Sequence, residues 1–198
     1  MLLRHFMLDV GPLESNAFLM ADLESRTGLL VDAGAFESAI VAVAEEHDLR
    51  MAAVLLTHLH WDHVDGLGEY LKRWPGARVH APARPPSVPD AQIVGHGDEF
   101  DVGPFHFQAL KTSGHTPESI SYYCAGAGVC FVGDCIFAGS VGGTSSDALF
   151  EEETGHIRNH LFTLPEMTEL LSGHGPVTTV AIEKQANPFL KPGFGRTA

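Results

Sequence analysis

An α/β fold is predicted for this 198-residue chain, and three observations carry the prediction. Short strand-like apolar runs, bounded by Gly, Pro, Asn or Asp, recur from the first residues onward. Between two of them, Ile40, Val41, Ala44 and Leu49 fall near helical spacing. The run that follows, "MAAVLL", is continuously apolar, as expected of a strand covered on both faces. Sheet flanked by helices, rather than helix bundle or all-β barrel, is the architecture that satisfies all three.

Taken in order, "LLRHFML", "NAFLMAD" and "GLLVDAG" read as three strands, and "FESAIVAVAEEHDL" as a helix. After the buried strand "MAAVLL" a His-rich stretch begins. "DGLGEYLKRW" reads as a second helix and "ARVHA" as a further strand. Residues 82–90, "PARPPSVPD", hold four prolines and are a loop. Beyond residue 100 the pattern turns β again in "FHFQALKT", "SISYYCA" and "VCFVGD". The Gly/Ser-rich "AGSVGGTSSD" precedes a helix over 147–162, "TELLSGHGP" reads as a last strand and turn, and "VTTVAIEKQAN" as a closing helix. An internal echo divides the chain: "LLVDAG", helix, "VLLTHLH" is repeated as "CFVGDC", helix, "ELLSGHG".

Length fits one domain, 1–198, with room for a substantial core. Twelve Lys and Arg against 25 Asp and Glu leave a formal net charge of −13, which argues against a nucleic-acid partner, since such binding relies on clustered cations. "MLLRHFMLDVGP" lacks the apolar core and cleavage site of a secretory leader, and no window approaches the length of a membrane span. Cys124, Cys130 and Cys135 are odd in number and form no CxxC pair, so reduced thiols in a cytoplasmic protein are expected.

The chemistry is concentrated in "LLTHLHWDHVDG", residues 55–66. In extended chain, side chains two apart point the same way, so His58 and His60 converge on one ion. Asp62 and His63 follow once the chain turns toward the next helix, and project to a neighbouring point. Divalent cations need three or more ligands, and distant residues can complete each shell. His115 in "SGHTPES" and His174 in "SGHGP" sit on tight turns after β structure, and Asp134 ends the strand "FVGD". These are positions where a scaffold presents ligands at the end of a sheet, and a carboxylate such as Asp134 can bridge two cations.

"THLHWDH", "SGHTPES", "VGDCIFAGS" and "SGHGP", in this order, resemble the metallo-β-lactamase superfamily from "LLVDAG" to "NPFL". The resemblance implies a four-layered αββα sandwich with a dinuclear centre at one edge of its sheets. It implies that His58, His60 and His115 hold one metal ion, that Asp62, His63 and His174 hold the second, and that Asp134 bridges them. The ions expected are two divalent metals, zinc first, with iron and manganese as alternatives.

Within that superfamily, the best-known β-lactamase subclasses carry Cys where this chain has Asp134. Cys135, one residue away, faces the other side of a strand and is expected to be a buried bystander. Diiron oxygen reductases place an acid where this chain has His60, and nuclease branches carry basic surfaces and added domains. "GDCIFAGSVGGT" and "SGHGPVTTVAIEKQANPF" most resemble glyoxalase II-like thioesterases of the compact single-domain kind. The implied reaction is hydrolysis of a small-molecule thioester such as a hydroxyacyl-glutathione, with Asp62 orienting the nucleophile or taking its proton. Two departures bear on substrate: Gly142, Gly143 and Thr144 stand where relatives carry a basic residue, and the helical domain that helps hold glutathione is absent. The alternative reading is a persulfide dioxygenase with one iron held by His58, His115 and Asp134. A third is a metal-binding module without catalysis.

Asp32, an acid near the metal loop in relatives, is a candidate to support a ligand from behind. His156 and His160 are read as a solvated helix face, and Glu151–Glu153 as charges near that helix's N-terminus. His5, His47, His80, His96 and His106 are read as structural or exposed.

Overall fold

A computed structural model describes residues 1–191 and 194. The first sheet holds β1 (Leu2–Asp9), β2 (Glu14–Asp22), β3 (Thr27–Val31), β4 (Arg50–Leu55), β5 (Arg78–Ala81) and β6 (Gln92–Ile93), adjacent in that order. The second has the order β14-β13-β10-β9-β8-β7, built from β7 (Glu99–Val102), β8 (Phe105–Lys111), β9 (Ile120–Cys124), β10 (Val129–Gly133), β13 (Glu169–Ser172) and β14 (Thr178–Thr179). Between β10 and β13 a small hairpin pairs β11 (Ile136–Phe137) with β12 (Ser140–Val141). The helices are α1 (Ser38–Glu46), α2 (Trp61–Val64), α3 (Leu67–Arg73), α4 (Asp147–His156) and α5 (Val180–Ala186).

Three separate apolar clusters make this a four-layered sandwich, and the period-2 alternation of the strands creates them. Along β2, Ala17, Leu19 and Ala21 pack outward against Ile40 and Ala44 of α1 and Leu67 and Tyr70 of α3. The interleaved Phe18 and Met20 face inward, against Phe107, Tyr122 and Phe131 of the second sheet. Along β10, Val129 and Phe131 join that central layer, while Cys130 and Val132 turn to the outer face under Ile157, Leu161 and Val180. The αββα expectation is therefore met. So is the internal echo: β3–α1–β4 and β10–α4–β13 are both parallel strand–helix–strand units.

The differences lie in short elements. β6, β7, β11, β12 and β14 have two to four residues each, too few for any hydrophobic period to register. Thr178 and Thr179, expected in the closing helix, instead pair with β13, and Thr179 caps α5 by accepting from Ile182 N–H. The helix expected over 147–162 is α-helical only to His156 and continues as a π-helical turn, Ile157–Leu161.

Candidate metal centre

β10 and β13 are parallel and end together, and the turn leaving β4 in the other sheet meets theirs at one rim of the sandwich. β4 stops at Leu55, and three residues later the chain delivers His58, then His60, before α2 carries Asp62 and His63. Asp134 follows the last residue of β10, and His174 lies two residues beyond β13. His115 comes from the turn between β8 and β9. All seven side chains singled out in the sequence converge. Their ligand atoms fall into three overlapping groups, each within 4.8 Å: His58, His60 and His115; His58, His63 and Asp134; Asp62, His63 and His174.

Hydrogen bonds on the outer side of each ring decide which nitrogen faces the cluster. His115 Nδ1 lies 2.8 Å from the Gly143 carbonyl and His174 Nδ1 2.6 Å from that of Glu14. A carbonyl only accepts, so both Nδ1 atoms carry a proton and both Nε2 atoms are the ones turned into the cluster. His63 Nδ1 donates to Asp32 Oδ2 at 3.0 Å. His58 Nδ1 donates to Thr57 Oγ1 at 3.1 Å, and that hydroxyl passes its own proton to Asp32 Oδ2 at 2.9 Å. Asp32 thus stands behind His63 directly and behind His58 through Thr57.

On the inner side two of these rings, His58 and His63, lack partners. His58 Nε2, His63 Nε2 and Asp134 Oδ1 are buried polar atoms without a hydrogen bond, an arrangement that costs free energy unless a cation completes it. His60 Nδ1 and His115 Nε2 point at each other across 3.0 Å. Asp134 spans the cluster: Oδ1 is 3.4 Å from His63 Nε2, and Oδ2 is 3.6 Å from His115 Nε2 and 3.2 Å from His174 Nε2. Asp62 Oδ2 is 3.3 Å from His174 Nε2. Two ligands bonded at ~2.0 Å to one tetrahedral ion stand roughly 3.3 Å apart, so these separations fit small divalent cations.

The electrostatics follow from the same contacts. Burial, with the neighbouring His63, pushes His58 well below the usual imidazole range, which keeps it a neutral donor. Burial opposes a charge on His63, but the Asp32 carboxylate, backed by Asp134 and Asp62, holds it above the usual value. Burial also works to raise Asp134, yet the hydrogen bond from His174 and the imidazoles of His63 and His58 hold it far below the carboxylate range. Its bond to Asp134 lifts His174 to about 9. Carboxylates and imidazoles thus compensate one another where cations would otherwise do so.

Backbone room is equally specific. A Cβ on Gly173 would stand 2.1 Å from Asp134 Oδ1 and 2.5 Å from His63 Cε1, inside the cluster. Only a residue without a side chain lets this turn pass the centre.

Three readings from the sequence need correction or completion. Glu153 is not a charge at the N-terminus of α4, where Ser146 is the cap; it lies one turn further on and is fully buried. Its Oε1 accepts His115 N–H at 3.1 Å, and burial lifts the carboxyl to about 8. Its charged neighbours in "FEEETG" gave no hint of this, because α4 alternates burial without a clean apolar stripe. His156 and His160 are not a solvated face: their Nδ1 atoms donate to the carbonyls of Ser113 and Lys111, clamping the strand that leads to His115. Cys135 is buried in the outer apolar cluster, where burial raises its thiol well above the usual range, as expected of a bystander.

Comparison with known proteins extends this picture. The Metallo-beta-lactamase superfamily profile matches residues 10–174. The chain is 34% identical to the "Probable metallo-hydrolase YqgX" of Bacillus subtilis, over 94% of this chain and 97% of that one. It is 32% identical to a hydroxyacylglutathione hydrolase of Vibrio cholerae over 81% of its own length, and that match spans 62% of the relative, less than two thirds. The crystal structure of ETHE1 from Myxococcus xanthus aligns with a TM-score of 0.83 at 31% identity, covering 95% of this chain and 84% of that one. Among the described residues no helix is long and apolar enough to cross a membrane.

Proposed function

The chain belongs to the metallo-beta-lactamase superfamily, and from that premise we propose a one-domain cytoplasmic hydrolase that cleaves a small-molecule thioester. His58, His60 and His115 on one side and Asp62, His63 and His174 on the other, with Asp134 shared, are the residues that would hold two divalent cations, zinc first. The observation that carries this reading is the set of lone pairs aimed inward: His58 Nε2, His63 Nε2 and Asp134 Oδ1 are buried without partners. Bound there, such ions supply water with a lowered pKa and polarise an ester carbonyl.

The chain's own residues do the rest. Asp32 and Thr57 hold the outer nitrogens of His63 and His58, and the carbonyls of Gly143 and Glu14 hold those of His115 and His174. These contacts fix ring orientation before any ion or substrate arrives. Asp62, whose Oδ2 lies 3.3 Å from His174 Nε2, is placed to orient the attacking water and take its proton. Ser15 Oγ donates to the Asp62 carbonyl at 2.8 Å and so restrains the start of α2. Similarity to hydroxyacylglutathione hydrolases favours a thioester over other esters.

The test is elemental analysis of protein purified without chelator, combined with thiol release from a panel of thioesters. Two ions per chain and metal-dependent thiol release are expected. A single iron, with oxygen consumed on a persulfide, would instead support the dioxygenase reading through His58, His115 and Asp134; the 3.6 Å between His115 Nε2 and Asp134 Oδ2 is the contact that reading uses.

A further inference from the structure

The metal cluster accommodates the reacting end of a substrate, and the remainder of that molecule needs a seat. A cavity of about 510 Å³ lies between the loop that follows β12 and the aromatic rings of Phe150, Phe189 and Phe194. Its volume lies within the range of small-molecule sites, roughly 300–1,000 Å³. One wall is aromatic: Phe150 from α4, Phe189 from the turn Pro188–Leu190, and Phe194. The Phe189 and Phe194 rings are 4.5 Å apart and those of Phe150 and Phe194 6.0 Å, so the three form one surface.

The other wall is the loop from Val141 to Ser146, bare backbone at Gly142 and Gly143 and uncharged hydroxyls at Thr144, Ser145 and Ser146. The Gly143 carbonyl also accepts the Nδ1–H of His115 at 2.8 Å, so this wall of the cavity adjoins one histidine of the metal cluster from its outer side. A side chain at Gly142 would collide with the Asp134 carbonyl at 2.2 Å and with Glu153 Oε1 at 2.6 Å, so that position admits only Gly, while Gly143 faces open space. Charge completes the argument: Asp147 is the one acidic or basic residue among the described residues that line the cavity. A carboxylate-bearing thiol would meet another carboxylate there, whereas an uncharged apolar group would leave water for three aromatic faces.

We propose that this cavity is the specificity pocket, and that it seats an uncharged aromatic or branched aliphatic group of the substrate in preference to an anionic glutathionyl group. The inference rests on the hydrolase reading for the reaction and not for binding, so its test has both arms. In the kinetic arm, the metal-loaded full chain is given four thioesters. They are acetyl-N-acetylcysteamine, its phenylacetyl counterpart, the acetyl ester of benzyl mercaptan, and lactoyl-glutathione. One of the two aromatic esters is expected to exceed both the minimal ester and the glutathione ester in kcat/KM by about 10- to 100-fold, the span that apolar contacts give; which one it is tells whether acyl or thiol portion occupies the pocket.

In the binding arm, calorimetry compares the uncleavable thioethers S-benzyl-N-acetylcysteamine and S-methylglutathione. The neutral ligand is expected to bind more tightly, and Phe194→Ala and Phe150→Ala each to cut that preference about tenfold. Phe194 is exposed, so its replacement leaves the core intact. A glutathione ligand that binds or reacts best, or a preference indifferent to both substitutions, overturns the pocket. If no thioester is cleaved while the neutral thioether still binds in a Phe194-dependent way, the pocket stands and the reaction assignment fails.

Discussion

Replacing Asp32 by Asn separates the two halves of the centre. Asp32 is buried, and its backbone lies in the left-handed region at φ 56°, where Asn is tolerated better than most residues. The substitution therefore perturbs chemistry rather than backbone. Asp32 accepts three hydrogen bonds: from Thr57 N–H at 2.9 Å, from the Thr57 hydroxyl at 2.9 Å and from His63 Nδ1–H at 3.0 Å. An Asn with its oxygen toward Thr57 N–H keeps the first and turns an NH₂ group on the other two. The Thr57 hydroxyl can rotate, but the His63 Nδ1–H then faces another donor. Relief requires the proton to move to Nε2, the atom aimed into the cluster. Loss of such a supporting partner costs roughly 10- to 100-fold in metal affinity, or about 1.4–2.8 kcal/mol.

The loss is expected at the cation assigned in our proposal to Asp62, His63 and His174, and to be smaller at the one assigned to His58, His60 and His115, which Asp32 reaches only through Thr57. The assay titrates zinc into metal-free protein against a chromogenic chelator and reads the two affinities separately. Wild-type affinity for both ions, or a loss confined to the first, would refute the support role assigned to Asp32.

Gly173→Ala is expected to abolish loading of both ions with far less effect on folding, since the added methyl would stand 2.1 Å from Asp134 Oδ1; elemental analysis and circular dichroism check this together. His58→Ala or Asp134→Ala is expected to remove metal and activity together, and full activity in either variant would sink the ligand assignment. His80 is a probe of pH away from the centre. Burial, with nearby Arg78, depresses it to about 4, and it stacks on Phe100 at 4.3 Å. The unfolded chain takes up its proton near the ordinary value of about 6.5 while the native chain does not. Stability therefore falls as pH drops from 6.5 toward 4, by about 2 kcal/mol between pH 7 and pH 5. His80→Phe keeps the stack and is expected to flatten this part of the profile; denaturant midpoints at the two pH values give the comparison.

Much of this molecule is written locally. Residues 17–21 and 129–132 are apolar without a break and alternate between two packing layers, so β2 and β10 are covered on both faces. The spacing of His58, His60, Asp62 and His63 is legible for the same reason, because strand and first helical turn dictate where neighbouring side chains point. His115, Asp134 and His174 could be picked out because each is a ligand-type residue at the end of a strand. Asp32 was visible only as an acid near the metal loop.

Other features arise only when the sheets close. The Glu14 carbonyl that orients His174 is 160 positions away in sequence, and the Gly143 carbonyl that orients His115 is 28 away. Backbone carbonyls carry no residue-specific signal, so neither partner can be read from composition or period. Glu153 looks like a solvated charge in "FEEETG" and becomes a buried acceptor only because Gly114 and Gly142 leave room for it. Phe150, Phe189 and Phe194 read as scattered aromatics until the C-terminal segment brings them against the loop after β12. The amino-acid sequence determined which side chains can bind cations and on which turns they stand. Tertiary structure decided which nitrogen of each ring faces the centre and what lies beside it, because those outcomes depend on long-range hydrogen bonds and packing that no local pattern encodes.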